Sequence, residues 1–220
     1  MIRQNRFINK TFGSSLDERL FFPATLRNRA NIGEVLDKFL PHNGITLEIA
    51  SGSGEHGVTF QKRFPNIIWQ TSDSDQSCRR SINSWIRHER LTEKMPLAID
   101  LSVEKTPWPL TNKFVSKISS IVCINLIHIA HWDCTQFLFN QSGKYLKRGS
   151  PLILYGPFKR DNVHTAESNA IFDRSLKSRN KHWGIRNLEA VDEIAKSSGF
   201  KKRKVIKMPA NNFSVIFNRT

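Results

Sequence analysis

Apolar residues recur along the chain with two periods, and the changes between them mark out the elements. From Arg27 to Leu40, Ile32, Val35, Leu36, Phe39 and Leu40 fall at helical spacing, and Pro41, Asn43 and Gly44 end the pattern. The apolar run Ile45 to Ala50 then reads as a strand, followed by a turn with Gly at 52, 54 and 57 and a helix ending near Phe64. Pro65 and Asn66 precede a second strand, Ile67 to about Ser72, after which SDSDQ places Asp75 to cap a helix running to about Leu91. Pro96 opens a third strand, Leu97 to Asp100, and a fourth follows at Ile118 to Ile124. Asp133 to Leu146 is helical, with Lys147, Arg148 and Gly149 giving a basic-then-glycine ending. Pro151 to Tyr155 is the fifth strand, and an insertion at about 157–187 carries a helix from about Thr165 to Ser178 and a turn around HWGIR. A helix at Leu188 to Ser198 leads to two strands, Lys202 to Met208 and Phe213 to Asn218. Only PANN separates these strands, so they pair as an antiparallel hairpin.

Strand and helix units in alternation, closed by a hairpin, predict an α/β fold: a mostly parallel sheet with one reversed strand. One domain over residues 16–220 is expected, preceded by a flexible basic arm at residues 1–15. Arg3, Arg6 and Lys10 in that arm leave organelle targeting open. Hydrophobic residues make up 39% of the chain, with fifteen Phe and five Trp, which excludes a wholly disordered protein. The three cysteines, Cys78, Cys123 and Cys134, are odd in number and lack C-x-x-C spacing. They point to a reducing, cytoplasmic setting and away from a disulfide or metal framework. No apolar run reaches the roughly 18 residues of a membrane span. The formal charge of +15 raises nucleic acid or an acidic surface as a partner, although the densest run, Lys201 to Lys204 with Lys207, reads more simply as a solvated sheet edge.

The glycine turn is where ligand chemistry concentrates. Glycine lets backbone approach a ligand, and the helix N-terminus beyond it favours negative charge. In open parallel sheets the ligand lies beyond the carboxyl ends of the strands, so residues just past each strand are candidates. Asp73 is placed to accept both hydroxyls of a ribose, and Asp100 to accept from an adenine amino group. Glu48, a charge inside the first strand, calls for a ligand or a hydrogen-bond network. A nicotinamide dinucleotide would use similar glycines and an acid, but such a dehydrogenase usually needs a second substrate region. The two further acids and the final hairpin favour S-adenosylmethionine. Ala50 stands where the acidic-x-G-x-G-x-G pattern of that cofactor's class has its first glycine.

Beyond the glycine turn, FFPATLRNR (21–29), LEIASGSGEH (47–56), IIWQTSDSD (67–75), CINLIHI (123–129), YLKRGSPLILYGPF (145–158), SNAIFD (168–173), WGIR (183–186) and MPANN (208–212) run in order. On these segments the chain resembles the domain-of-unknown-function 938 family, of methyltransferase-like protein 26 type, within the class I S-adenosylmethionine-dependent methyltransferases. The resemblance implies a seven-stranded, Rossmann-like sheet in the order 3-2-1-4-5-7-6 with strand seven antiparallel. It also implies binding of S-adenosylmethionine, with S-adenosylhomocysteine as product. The expected cofactor set is Arg29, Glu48, Ala50, Ser51, Gly52, Gly54, His56, Asp73, Ser74, Asp100, Leu101 and Asn125. It supplies no acceptor.

Methyl transfer from a sulfonium is an in-line displacement that needs a base only when the acceptor starts protonated. His128, just past strand four, is the candidate base, with Tyr155 and Asn212 as further catalytic candidates; His131 ranks below it. Asn28 and Arg29, together with Asn169, Asp173 and Arg186, are placed to close an acceptor site. The N-P-P-Y pattern of enzymes that methylate base amines is absent, since Asn125 is followed by Leu126, Ile127 and His128. A small-molecule acceptor is therefore the leading expectation. RNA or an acidic protein as acceptor, and a non-catalytic cofactor-binding or interaction module, are the alternatives.

Overall fold

The computed structural model describes residues 17–220; the expected arm at residues 1–15 lies outside the described residues. Helix α1 (Pro23–Phe39) leads to β1 (Gly44–Ile49), α2 (Glu55–Arg63), β2 (Ile67–Asp73), α3 (Gln76–His88) and β3 (Ile99–Asp100). After the short α4 (Asn112–Val115) come β4 (Ile118–Ile124), a 3-10 turn (Ile127–Ile129), α5 (Asp133–Tyr145) and β5 (Pro151–Gly156). The insertion holds β6 (Phe158–Arg160), β7 (Val163–His164), α6 (Glu167–Arg179) and β8 (Arg186–Asn187). Helix α7 (Leu188–Ser197), β9 (Phe200–Met208) and β10 (Asn212–Arg219) close the chain.

The main sheet has the order β3-β2-β1-β4-β5-β10-β9, with β10 antiparallel to both its neighbours. This is the order expected, β9 and β10 being its strands six and seven. Helices cover both faces, so the central strands are buried on both sides and alternate residues serve two cores. Leu47, Ile121, Cys123, Leu152, Leu154 and Val215 face α5 and α7, where Leu138, Phe139, Leu188 and Val191 meet them. Val122, Ile124, Ile153 and Ile216 face α1, α2 and α3, meeting Leu36, Phe60, Ile82 and Ile86.

Two elements differ from expectation. Strand three spans only Ile99–Asp100 and not Leu97 to Asp100, because side chains take over the upstream ladder bonds. Gln70 donates to the Leu97 carbonyl at 2.8 Å and Asn83 accepts from the Ala98 N–H at 2.9 Å. The insertion carries a three-stranded sheet, β7-β6-β8, that periodicity did not reveal, since strands of two or three residues give no repeat. The basic run lies on β9, the edge strand. Lys202 pairs there with Asp192 at 2.7 Å and Arg203 stacks over Phe39, so part of that charge is used in packing the edge.

Candidate functional site

At the carboxyl ends of β1 and β2 the chain builds a rigid turn. Ala50, where the usual pattern has a glycine, takes φ 56°, a left-handed conformation. The Ser51 N–H donates to the Ser72 carbonyl at 2.9 Å, and the Gly52 N–H donates to Asp73 Oδ2 at 2.9 Å. Asp73 Oδ1 accepts from the Asp75 N–H at 2.9 Å, and Asp75 caps α3 by accepting from Ser77 N–H. The Asp73 carboxylate is thus aimed by two backbone donors at the rim of the turn. Burial nonetheless raises its pKa, those two bonds acting in the opposite direction. Gly54, at φ 94°, starts α2 where a Cβ would lie 2.7 Å from Ile82 Cα, so only glycine fits.

The segment before α1 crosses this turn. The Phe22 N–H donates to Glu55 Oε2 at 2.8 Å, and the Phe22 ring lies 3.1 Å from where a Cβ on Gly52 would stand. Ser53 Oγ donates to the same Glu55 oxygen at 2.9 Å. The Leu20 N–H donates to Ser81 Oγ, and Trp85 Nε1 donates to the Leu20 carbonyl. Phe22 and Glu55, which the sequence did not single out, therefore form one wall. Only tertiary contact identifies them.

On the other side of the turn a neutral polar network forms. His56 Nε2 bonds Asn28 Oδ1 at 2.8 Å, the imidazole stacks on Phe60, and the Asn28 amide hydrogen-bonds the Tyr155 hydroxyl. Burial, helped by the nearby Arg29 charge, pushes the His56 pKa down to about 3, so the ring is uncharged. Burial raises the pKa of Tyr155, with the Asn28 bond and the Arg27 charge opposing it.

His128 lies in the 3-10 turn after β4, 6% exposed. Its ring meets Phe172 edge-on at 5.7 Å and lies 3.3 Å from where a Cβ on Gly156 would be. Neither ring nitrogen has a hydrogen-bond partner among the described residues, and neither is sealed from solvent. Burial and the Arg186 charge lower its pKa to about 4. The turn itself is clamped from the insertion: the Gly184 N–H donates to the His128 carbonyl at 3.0 Å, and Arg186 donates to the carbonyls of Ile127 and Ala130. Asp173 fixes that clamp by accepting from the Ile185 N–H at 2.7 Å. Asn169 donates to the Asn211 carbonyl, joining α6 to the β9–β10 loop.

The structure thus brings Ala50, Ser51, Gly52, Gly54, Asp73, Asn125, His128 and Tyr155 to one end of the sheet, with Arg29 and His56 beside them. Ser74 is exposed past Asp73, and Leu101 is buried with its N–H directed at the Asp73 carbonyl. Glu48 and Asn212 are turned elsewhere, and Asp100 stands in register beside Asp73 but is engaged by an ion pair. Glu48, 1% exposed, lies beneath α2 and accepts from Trp69 Nε1 at 3.0 Å; burial lifts its pKa to about 7. Asp100 is exposed and pairs with Arg79 at 3.0 Å. The Asn212 amide donates to the carbonyls of Pro209 and Ala210, capping its own turn. Among the described residues no cluster of His, Cys, Asp or Glu could hold a metal ion, and no helix is long and apolar enough to cross a membrane.

This fold is that of S-adenosylmethionine-dependent methyltransferases. The chain is similar to a putative O-methyltransferase of Nostoc punctiforme (14% identity, TM-score 0.74), covering 90% of this chain and 57% of that one. It is also similar to an O-methyltransferase family protein from Burkholderia thailandensis (13%, TM-score 0.72, 90% and 57%). A third likeness is to human N-acetylserotonin methyltransferase in complex with SAM (12%, TM-score 0.71, 89% and 52%). The chain therefore matches just over half the length of these structures. It belongs to the family described as protein of unknown function (DUF938), which matches residues 19–219.

Two outcomes are expected from this geometry. Ala50→Gly relieves a left-handed non-glycine residue and raises stability by about 1 kcal/mol in urea unfolding; a loss of stability would show that the methyl group packs to more effect than the strain costs. Glu48 holds its proton more tightly folded than unfolded, so its contribution is greatest below about 4.5 and is lost as pH rises to about 7. Between about pH 5 and pH 7.5 the wild-type chain should lose about 2 kcal/mol relative to Glu48→Gln. A pH-independent difference would contradict the buried, proton-retaining carboxyl.

Proposed function

We propose that the chain binds S-adenosylmethionine at the carboxyl ends of β1, β2 and β4 and methylates an oxygen of a small molecule. The observation that carries this reading is the Asp73 carboxylate, held at the end of β2 by Gly52 and Asp75 N–H groups, one strand away from the β1–β4 boundary where strand order reverses. The residues fit the cofactor in kind: a turn of backbone donors and close-approach glycines, a carboxylate for the ribose hydroxyls, and Arg29 for the carboxylate of the methionine end. Asn125 follows β4 at the same end of the sheet, and Leu101 follows β3 there. S-adenosylmethionine, when bound, supplies a methyl group on a sulfonium sulfur, open to in-line attack.

His128 is the group through which this chain handles the acceptor proton. It is neutral, more than nine-tenths buried, and without a protein hydrogen-bond partner among the described residues, so a hydroxyl entering the cleft gives it the bond it lacks. The hydroxyl proton passes to the imidazole as the acceptor oxygen takes the methyl group. Tyr155, at the end of β5 with its hydroxyl bonded by Asn28, is the further group assigned to positioning the acceptor. The likeness to O-methyltransferases supports oxygen as the acceptor atom, and the absence of N-P-P-Y supports it over a base amine.

Calorimetric titration with S-adenosylhomocysteine should give binding that Asp73→Ala weakens by roughly a hundredfold, two charge-assisted bonds being lost. Wild-type protein that takes up no cofactor product would sink the proposal. With methyl-labelled cofactor and a fractionated cell extract, His128→Asn should slow labelling of the acceptor by roughly 10²–10⁴-fold. A rate within a few-fold of wild type would leave positioning alone as the mechanism.

A further inference from the structure

The end of β5 bears on which acceptors the cleft admits. Gly156, the last residue of that strand, is buried and does not take a positive φ. Packing does not call for glycine there as it does at Gly54 and Gly57, where a Cβ would come within 2.7 Å of Ile82 and 2.6 Å of Thr71. At Gly156 the atoms nearest that position are His128 Nδ1 at 3.3 Å, His128 Cε1 at 3.4 Å and Asn125 Oδ1 at 3.7 Å. The missing side chain thus leaves a niche between two polar groups. Such spacing crowds a carbon but suits an oxygen, which closes to about 2.7–3.2 Å on a hydrogen-bonding nitrogen.

Both polar groups are open. Neither the ring nitrogens of His128 nor the Asn125 side-chain amide has a hydrogen-bond partner among the described residues, although His128 is more than nine-tenths buried. With its proton on Nε2, the neutral ring presents Nδ1 as an acceptor. Main-chain bonds hold the niche in shape. The Asn125 N–H donates to the Tyr155 carbonyl at 2.8 Å, tying the turn after β4 to the residue before Gly156. The Gly184 N–H holds the His128 carbonyl from the insertion, and Gly156 itself stands in register with Phe213 of β10.

Resting on the methyltransferase reading above, we infer that Gly156 is a specificity-determining position: the space its side chain would fill receives the acceptor's reacting hydroxyl, against His128 Nδ1 and beside the Asn125 amide. The hydroxyl proton goes to Nδ1 as the oxygen–methyl bond forms and the methyl–sulfur bond breaks, the bonding pair staying on the sulfur. The niche is walled by a strand end on one side and by the two side chains on the other. It therefore takes a hydroxyl with open flanks, such as a phenol or a primary alcohol, and rejects one crowded by substituents on both sides.

Protein saturated with S-adenosylhomocysteine is titrated with phenol, with anisole and with the phenol methylated at both ortho positions, while nitrogen NMR follows the His128 ring. Phenol should move the Nδ1 signal and bind at least about threefold more tightly than either of the others. Gly156→Ala should weaken phenol by roughly tenfold, because a methyl group then stands in the niche, and S-adenosylhomocysteine should bind as in wild type. Anisole or the crowded phenol binding as tightly as phenol, an unmoved Nδ1 signal, or phenol affinity unchanged in Gly156→Ala would overturn the inference. So would loss of S-adenosylhomocysteine binding in folded Gly156→Ala, because the glycine would then serve the cofactor. The wild-type comparison decides by itself if Gly156→Ala does not fold. Wild-type protein that fails to bind S-adenosylhomocysteine overturns the underlying function as well. Cofactor-product binding without selectivity among the three probes overturns only this inference.

Discussion

The hydrogen bond from the Gly52 N–H to Asp73 ties the turn after β1 to the end of β2, and the whole site is laid out from it. It fixes the direction of a carboxylate that would otherwise swing freely at a strand end. It also holds the turn in the shape that Ala50 and Gly54 permit. The Ser72 hydroxyl bond to the Glu48 carbonyl reinforces the same junction from one residue upstream. Because both strands are buried in the middle of the sheet, displacement of this junction would disturb packing on both faces. Rigidity at the turn thus comes from the sheet, and the loops around it inherit a fixed frame of reference.

Around that frame burial disfavours the charged form of three ionisable groups. His56 and His128 are held neutral, and Glu48 has its pKa lifted to about 7, each in a different setting. His56 is satisfied by Asn28 and Glu48 by Trp69, so both are structural supports. His128 has no such partner, and that difference is what separates a candidate for chemistry from a residue that holds the wall in place. The wall on its side comes from the insertion, where Asp173, Gly184 and Arg186 clamp the 3-10 turn through backbone groups. An insertion that looks peripheral in sequence therefore holds the turn that carries His128.

Much of this was legible from the chain itself. Short apolar runs such as Ile45 to Ala50 and Ile118 to Ile124, bounded by glycine, proline or asparagine, mark strands that are buried on both faces. The four-residue PANN connection makes an antiparallel last pair the natural outcome. Asp75 as a cap followed from its place before a helix, and the structure bears this out. The tiny strands of the insertion escaped because two or three residues carry no period. The direction of Glu48 escaped for another reason: alternation with Leu47 and Ile49 puts it on the opposite face, but nothing local says that α2 covers that face. The Asn28 network joins α1, α2 and β5, residues far apart in the chain, and only the folded arrangement brings them together.

The central claim is that the turn after β1 and the Asp73 carboxylate together hold S-adenosylmethionine. A crystal structure of the chain with S-adenosylhomocysteine tests it most directly. The account predicts ribose hydroxyls on Asp73, the amino-acid end along the Gly52–Gly54 turn toward Arg29, and the sulfur facing the space between His128 and Tyr155. A ligand bound at the amino ends of the strands, or one that leaves Asp73 without contact, would contradict it.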